Sequence, residues 1–152
     1  MCRPFGTSYP PFERWPRNRI KHSGALDRLL GQLAEGLVAF RTEMGPAWPK
    51  TTVVVMTEFG RTARPNGTRG TDHGTGGAGF LIGSQVARST VFCDWPGLRD
   101  AALFEGRDLK PTLDTRAVLK AAIAGTFDLT IAQADRVFPD SAAVRGAYHL
   151  MV

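Results

Sequence analysis

The sequence predicts an α/β fold, a mostly parallel sheet flanked by helices and preceded by an irregular N-terminal segment. Three observations predict it. Apolar residues at Leu26, Leu29, Leu30, Leu33, Leu37, Phe40 and Met44 recur every three or four positions, the spacing of one helical face. The stretch Thr51–Thr57 then forms a β-branched run without polar alternation, as expected of a strand covered on both faces. A second helical stretch starts near Asp114, where Ala117, Val118, Leu119, Ala121 and Ala122 supply an apolar side.

Taken in order, residues 1–22 carry four of the ten prolines and no usable periodicity, so they are expected to be irregular or disordered, with the folded part at 23–152. Ser23 is the expected cap of the first helix and Gly45-Pro46 its stop. Gly31 and Gly36 each cost that helix about 1 kcal/mol relative to alanine, which predicts a neighbour packed closely against them. Beyond the strand, Glu58 to Gly79 holds seven glycines and three arginines. It reads as a long loop at the strand's C-terminal end, where open α/β sheets place ligands. A second strand is expected at Ala78–Ile82 and a short one at Thr90–Cys93. The turn Trp95-Pro96-Gly97 is expected to pack its tryptophan as an anchor. Asp114 or Thr115 caps a helix through Ala124, and a shorter helix runs from Ile131 to Val137, before Pro139. A strand as apolar as Val53–Met56 with so few partners implies self-association through a sheet edge or a piece of a larger domain.

Composition narrows the function classes. At 152 residues, 43% hydrophobic and 22% charged, the chain has the material for one globular domain. No apolar stretch is long enough for a membrane span, and the N-terminus lacks the apolar core of an export signal. Cys2 and Cys93 cannot build a disulfide framework and form no C-x-x-C pair. The net charge of +5 suits an anionic partner. Nucleic acid is disfavoured, because no basic helix face, aromatic RNA-binding pattern or zinc-finger spacing accompanies that charge.

The chemistry concentrates in the glycine-rich loop. Glu58, immediately after the strand, and Asp72 with His73 are suitable ligands for a divalent metal or an acid and base pair. Their competing reading is structural: Glu58 paired with an arginine, Asp72 closing a turn and His73 exposed. Arg61, Arg64 and Arg69 add guanidinium forks that match the oxygens of carboxylate, phosphate or sulfate. Together they suit metal-assisted hydrolysis of a phosphate or sulfate ester. A nucleophile is not marked, since Thr75, Ser84 and Ser89 lie in no activating motif.

A set of spaced motifs carries a family resemblance: Thr57-Glu58-Phe59-Gly60-Arg61-Thr62, Asn66-Gly67, Gly70-Thr71-Asp72-His73-Gly74, Asp94-Trp95-Pro96-Gly97-Leu98, Gly106-Arg107-Asp108-Leu109, Pro111-Thr112 with Asp114 and Arg116, and Phe138-Pro139. From about Ser23 onward the chain resembles the C-terminal part of the bacterial family catalogued as domain of unknown function 1501, similar to the alkaline phosphatase and sulfatase superfamily. The resemblance implies a partial alkaline-phosphatase-like fold. It also implies an exported, metal-dependent hydrolase in the periplasm or envelope, acting on a small anionic ester. Glu58 would be a ligand at one metal position and His73 at the other, with Asp72 an extra ligand or an orienter of the imidazole. Phe59 stands where those phosphatases place a ligating histidine.

Full-length members carry a twin-arginine export signal and an Asp-Thr-His motif, neither of which is in this sequence. The expectation is therefore a fragment that is inactive alone, retained in the cytoplasm, with low occupancy by zinc, manganese or calcium. The rival expectation is a non-catalytic binding or structural module of the envelope with the same fold. A third is a binder of anionic polymers.

Overall fold

The computed structural model describes residues 24–152 except 69 and 90. The expectations for residues 1–22, for Ser23 as a cap, for Arg69 and for a strand beginning at Thr90 therefore lie outside the described residues. Val91–Cys93, which are described, form no strand.

Helix α1 (Ala25–Met44) follows the apolar spacing, starts from Gly24 and stops at Gly45, whose φ of 44° is a turn conformation that glycine adopts without strain. A 3₁₀ turn, Gly45–Lys50, leads on to the sheet, and the Arg41 guanidinium sits 5.6 Å above the Trp48 ring. None of the twenty residues of α1 is buried. A Cβ added at Gly31 or Gly36 would meet nothing within 4 Å. The neighbour expected against these glycines is absent among the described residues.

Strands β1 (Thr52–Val55) and β4 (Phe80–Gly83) pair with each other, Val53 opposite Ile82 and Val55 opposite Phe80. Between them lie two short strands, β2 (Gly60–Arg61) and β3 (His73–Gly74), which form a second ladder. The architecture is a mixture of helices and small sheets, and both ladders are antiparallel, not parallel as expected. The reason lies in the connection. Parallel pairing needs a crossover, usually a helix, whereas the chain from β1 to β4 stays a folded loop and returns alongside its starting strand. A β-branched run specifies burial, not direction, and here β1 is half-buried along its length, without helices on both faces. Trp95 is 48% exposed and does not serve as a buried anchor.

Helix α2 (Thr115–Phe127) is the central element. Its Ala117, Ala121, Ala122 and Ala124 are buried, and Ala117 and Ala121 pack with Ala147 against Phe92, Val144, Tyr148, Leu150 and Met151. On the sheet side, the Thr126 hydroxyl donates to Thr52 Oγ1 at 2.7 Å. Asp114 caps α2, accepting from the backbone N–H of Arg116 at 2.9 Å. Helix α3 (Ile131–Val137) opens with a capping box between Thr130 and Gln133 and buries Ala134. The last residues return to β4's end, where Val86 bridges Met151 and Val152 N–H donates to the Gln85 carbonyl at 2.9 Å.

Lys120 binds these parts together. It is fully buried, and its ammonium donates to Asp135 Oδ1 at 2.6 Å, to the Ser141 carbonyl at 2.6 Å and to the Val144 carbonyl at 2.9 Å. Three donors meet three acceptors, so the charge is satisfied without water. Replacing Lys120 with methionine keeps most of the volume but strands the buried Ser141 carbonyl and the half-buried Val144 carbonyl. We expect a loss of about 3 kcal/mol, read as a lower urea midpoint at unchanged slope.

Hydrogen bonds from the Arg116 guanidinium hold the Asp114 carboxyl below its usual range, opposed by a smaller desolvation effect. A depressed folded value stabilises above the unfolded pKa, and that contribution is lost as pH falls from there through the folded one. Asp114→Ala is expected to lower stability by about 1 kcal/mol at neutral pH. Urea titrations down the acid range should show the gap to the parent chain closing as pH falls below the ordinary aspartate pKa.

Candidate functional site

The loop between β1 and β4 is held by its main chain. Arg61 N–H donates to the Gly76 carbonyl at 2.8 Å, Thr62 N–H to the Asp72 carbonyl at 3.1 Å, and Leu109 N–H to the Arg61 carbonyl at 3.1 Å. Residues 107–109 thus run beside β2, with Asp108 bridging Thr62. These backbones approach closely because two glycines allow it. A Cβ at Gly60 would lie 2.3 Å from the Thr75 carbonyl carbon, and one at Gly74 would lie 2.6 Å from that of Arg61. The glycines that suggested a pliable ligand loop therefore build a tightly packed frame.

Side chains project from this frame to different sides. Arg61 and His73 are directly opposed in the β2–β3 register, so they share one face, and Phe59, two residues before Arg61, reaches the same face. The Phe59 ring stacks on the His73 imidazole at 4.2 Å with planes 12° apart. His73 is exposed, and no hydrogen bond to either ring nitrogen occurs among the described residues. Glu58 is also exposed, and its only side-chain hydrogen bond among the described residues is a long one, accepted from the Thr57 hydroxyl at 3.5 Å.

The other expected site residues have partners inside the protein. Asp72 Oδ1 accepts from Asn66 Nδ2 at 2.8 Å, and Asp72 N–H donates to the Thr62 hydroxyl at 3.1 Å. Arg61 donates through Nε to the Thr71 hydroxyl at 2.7 Å and through Nη2 to the Thr71 carbonyl, not to Glu58. Arg64 is ion-paired with Asp100. Among the described residues no three of His, Cys, Asp and Glu are grouped so as to hold one ion. Glu58, Asp72 and His73 alone therefore do not fit a complete metal cage.

Two residues that matter to this loop stand in the spaced motifs, but the sequence reading assigned neither a role. Asn66 Oδ1 accepts from Thr68 N–H at 3.0 Å, the Thr68 hydroxyl at 2.8 Å and Gly70 N–H at 3.0 Å, closing the turn behind Asp72. Its Asn-Gly sequence was the available signal. Asp108 is nearly fully buried and takes the Arg107 Nε–H at 2.7 Å, which raises the Arg107 pKa further. Nothing in the local sequence marks Asp108 as buried, because the bridge to Thr62 is long-range.

The family comparison matches residues 20–139 to the model described as "Protein of unknown function (DUF1501)". The chain belongs to this family. In this DUF1501 protein the match spans α1, the glycine-rich loop, α2 and α3. No curated protein and no solved structure matches the chain. No helix among the described residues of the DUF1501 chain is long and apolar enough to cross a membrane.

Adding a methyl at Gly60 or Gly74 should push β2 and the chain through β3 apart. Gly60→Ala and Gly74→Ala are each expected to cost about 1–3 kcal/mol. Hydrogen exchange should localise the loss, with the Arg61, Thr62 and Leu109 amides losing protection well before those of α2.

Proposed function

We propose that this chain supplies part of the site of an exported, metal-dependent phosphate- or sulfate-ester hydrolase. Glu58 and His73 serve as two of its metal donors, Asp72 orients or adds to them, and Arg61 lies against the anion. One observation carries the reading: Glu58, Asp72 and His73 are exposed, each with a donor atom that no hydrogen bond engages among the described residues, and His73 projects from a strand paired with β2. A fixed frame presenting open lone pairs lowers the ordering cost of binding an ion. Even an open catalytic zinc site uses three protein ligands, so the remaining donors and the nucleophile come from outside the described residues. On this reading the chain alone does not turn over.

The test has two parts. Titrating zinc or manganese into the chain in a calorimeter should give weak binding that disappears in His73→Ala and in Glu58→Gln. Hydrolysis of p-nitrophenyl phosphate and p-nitrophenyl sulfate should stay at the buffer rate. Heat that is indifferent to both substitutions would remove the donor assignment, and metal-stimulated turnover by the chain alone would remove the part-site reading.

A second reading has its own support. Asp72, Arg61 and Arg64 are each held by Asn66, Thr71 and Asp100, as in a loop whose role is structural. In that case the chain is a non-catalytic binding or structural module of the envelope, and the same titration shows no heat with either metal.

A further inference from the structure

Helix α1 carries an apolar seam that no other helix or strand covers among the described residues. Leu26, Leu30, Leu33, Leu37, Phe40 and Met44 are alternately four and three residues apart, the period of a coiled-coil seam. Leu26 is 69% exposed and Phe40 44% exposed, and none of the six is buried. The helix is roughly 30 Å long, and its packing within the described chain is with the turn Gly45–Lys50 at its own end.

We propose that α1 is a self-association surface, on which a second copy of the chain lays its own α1 antiparallel. The seam specifies the register. With Leu33 opposite the partner's Leu37, Leu30 falls opposite the partner's Phe40 and Leu26 opposite the partner's Met44. Every seam residue then has an apolar counterpart.

The flanking charges select the same arrangement. Asp27 and Arg41 each directly follow a seam residue on the same side, and in this register Asp27 meets the partner's Arg41, twice by symmetry. A parallel pair would instead set Gly36 beside the partner's Arg41 and Leu29 beside the partner's Ala34, with no charge complementarity. Asp27 has no ion-pair or hydrogen-bond partner among the described residues. Arg41 stacks over Trp48, which leaves the edge of its guanidinium open to a carboxylate.

The small residues agree. Ala34 faces its own symmetry mate on one side of the seam and Gly36 does so on the other, where a helix can approach without obstruction. The two in-helix glycines lack a neighbour among the described residues, and a dimer gives Gly36 one. On the outer part of that second side Glu43 lies beside the partner's Leu29, without an opposing charge.

Sedimentation of the whole 152-residue chain over a concentration series tests this. A species of twice the 16.5 kDa monomer is expected, and Leu30→Glu should return it to monomer with helix content unchanged. Asp27→Arg and Arg41→Asp should each weaken the dimer roughly tenfold, by turning attraction into repulsion. The double variant should recover it. Asp27→Arg leaves Trp48 untouched, so its effect separates charge pairing from loss of the Arg41 stack. The proposal is overturned by a 16.5 kDa species at every concentration, meaning that another segment or protein covers the seam. It is equally overturned by a dimer that survives Leu30→Glu, which would place the contact elsewhere, such as a sheet edge, or by a double variant that does not recover.

Discussion

The buried ammonium of Lys120 is the contact on which the rest of the molecule depends. Among the described residues the buried apolar ones are Leu103 and six alanines, side chains that permit close packing but, for the alanines, remove little area from water. With so thin an apolar interior, directional bonds take on the work of fixing α2 against α3 and the final turn. Lys120 reaches a carboxylate on α3 and two carbonyls of the following segment from one point on α2. Because α2 also touches β1 through Thr126 and Thr52, the position of the sheet follows from the same anchor.

The glycine-rich loop solves a different problem. It must return from β1 to β4 without a helix, and it does so by laying backbone on backbone at Gly60 and Gly74. The order sits in the main chain, so the side chains are released to point outward. That division explains why a long loop keeps a defined shape while Glu58 and His73 remain exposed.

Much of the helical part was legible before any coordinates. The span of α3, the Asp114 cap and the Gly45 stop follow from local chemistry, in which a side chain bonds to backbone a few residues away. The direction of strand pairing was not legible, because Val53–Val55 report burial and say nothing of how the chain returns. At the site, the sequence marked Glu58, Asp72, His73, Arg61 and Arg64 as polar groups of one loop. It could not sort them into those held internally and those left open, since Arg64 finds Asp100 far along the chain and the Phe59 stack on His73 crosses two strands. Asn66 was readable in principle, as an Asn-Gly turn.

That turn also bears on how the protein ages. Asparagine followed by glycine is the pair most prone to lose its amide nitrogen, through attack of the glycine's backbone nitrogen on the side-chain carbon. Here three hydrogen bonds to Oδ1 and one from Nδ2 pull the Asn66 amide toward residues 68–72, holding back the rotation that the attack requires. Deamidation would exchange the donor facing Asp72 for a second negative charge, so the folded loop protects against the very change that would open it.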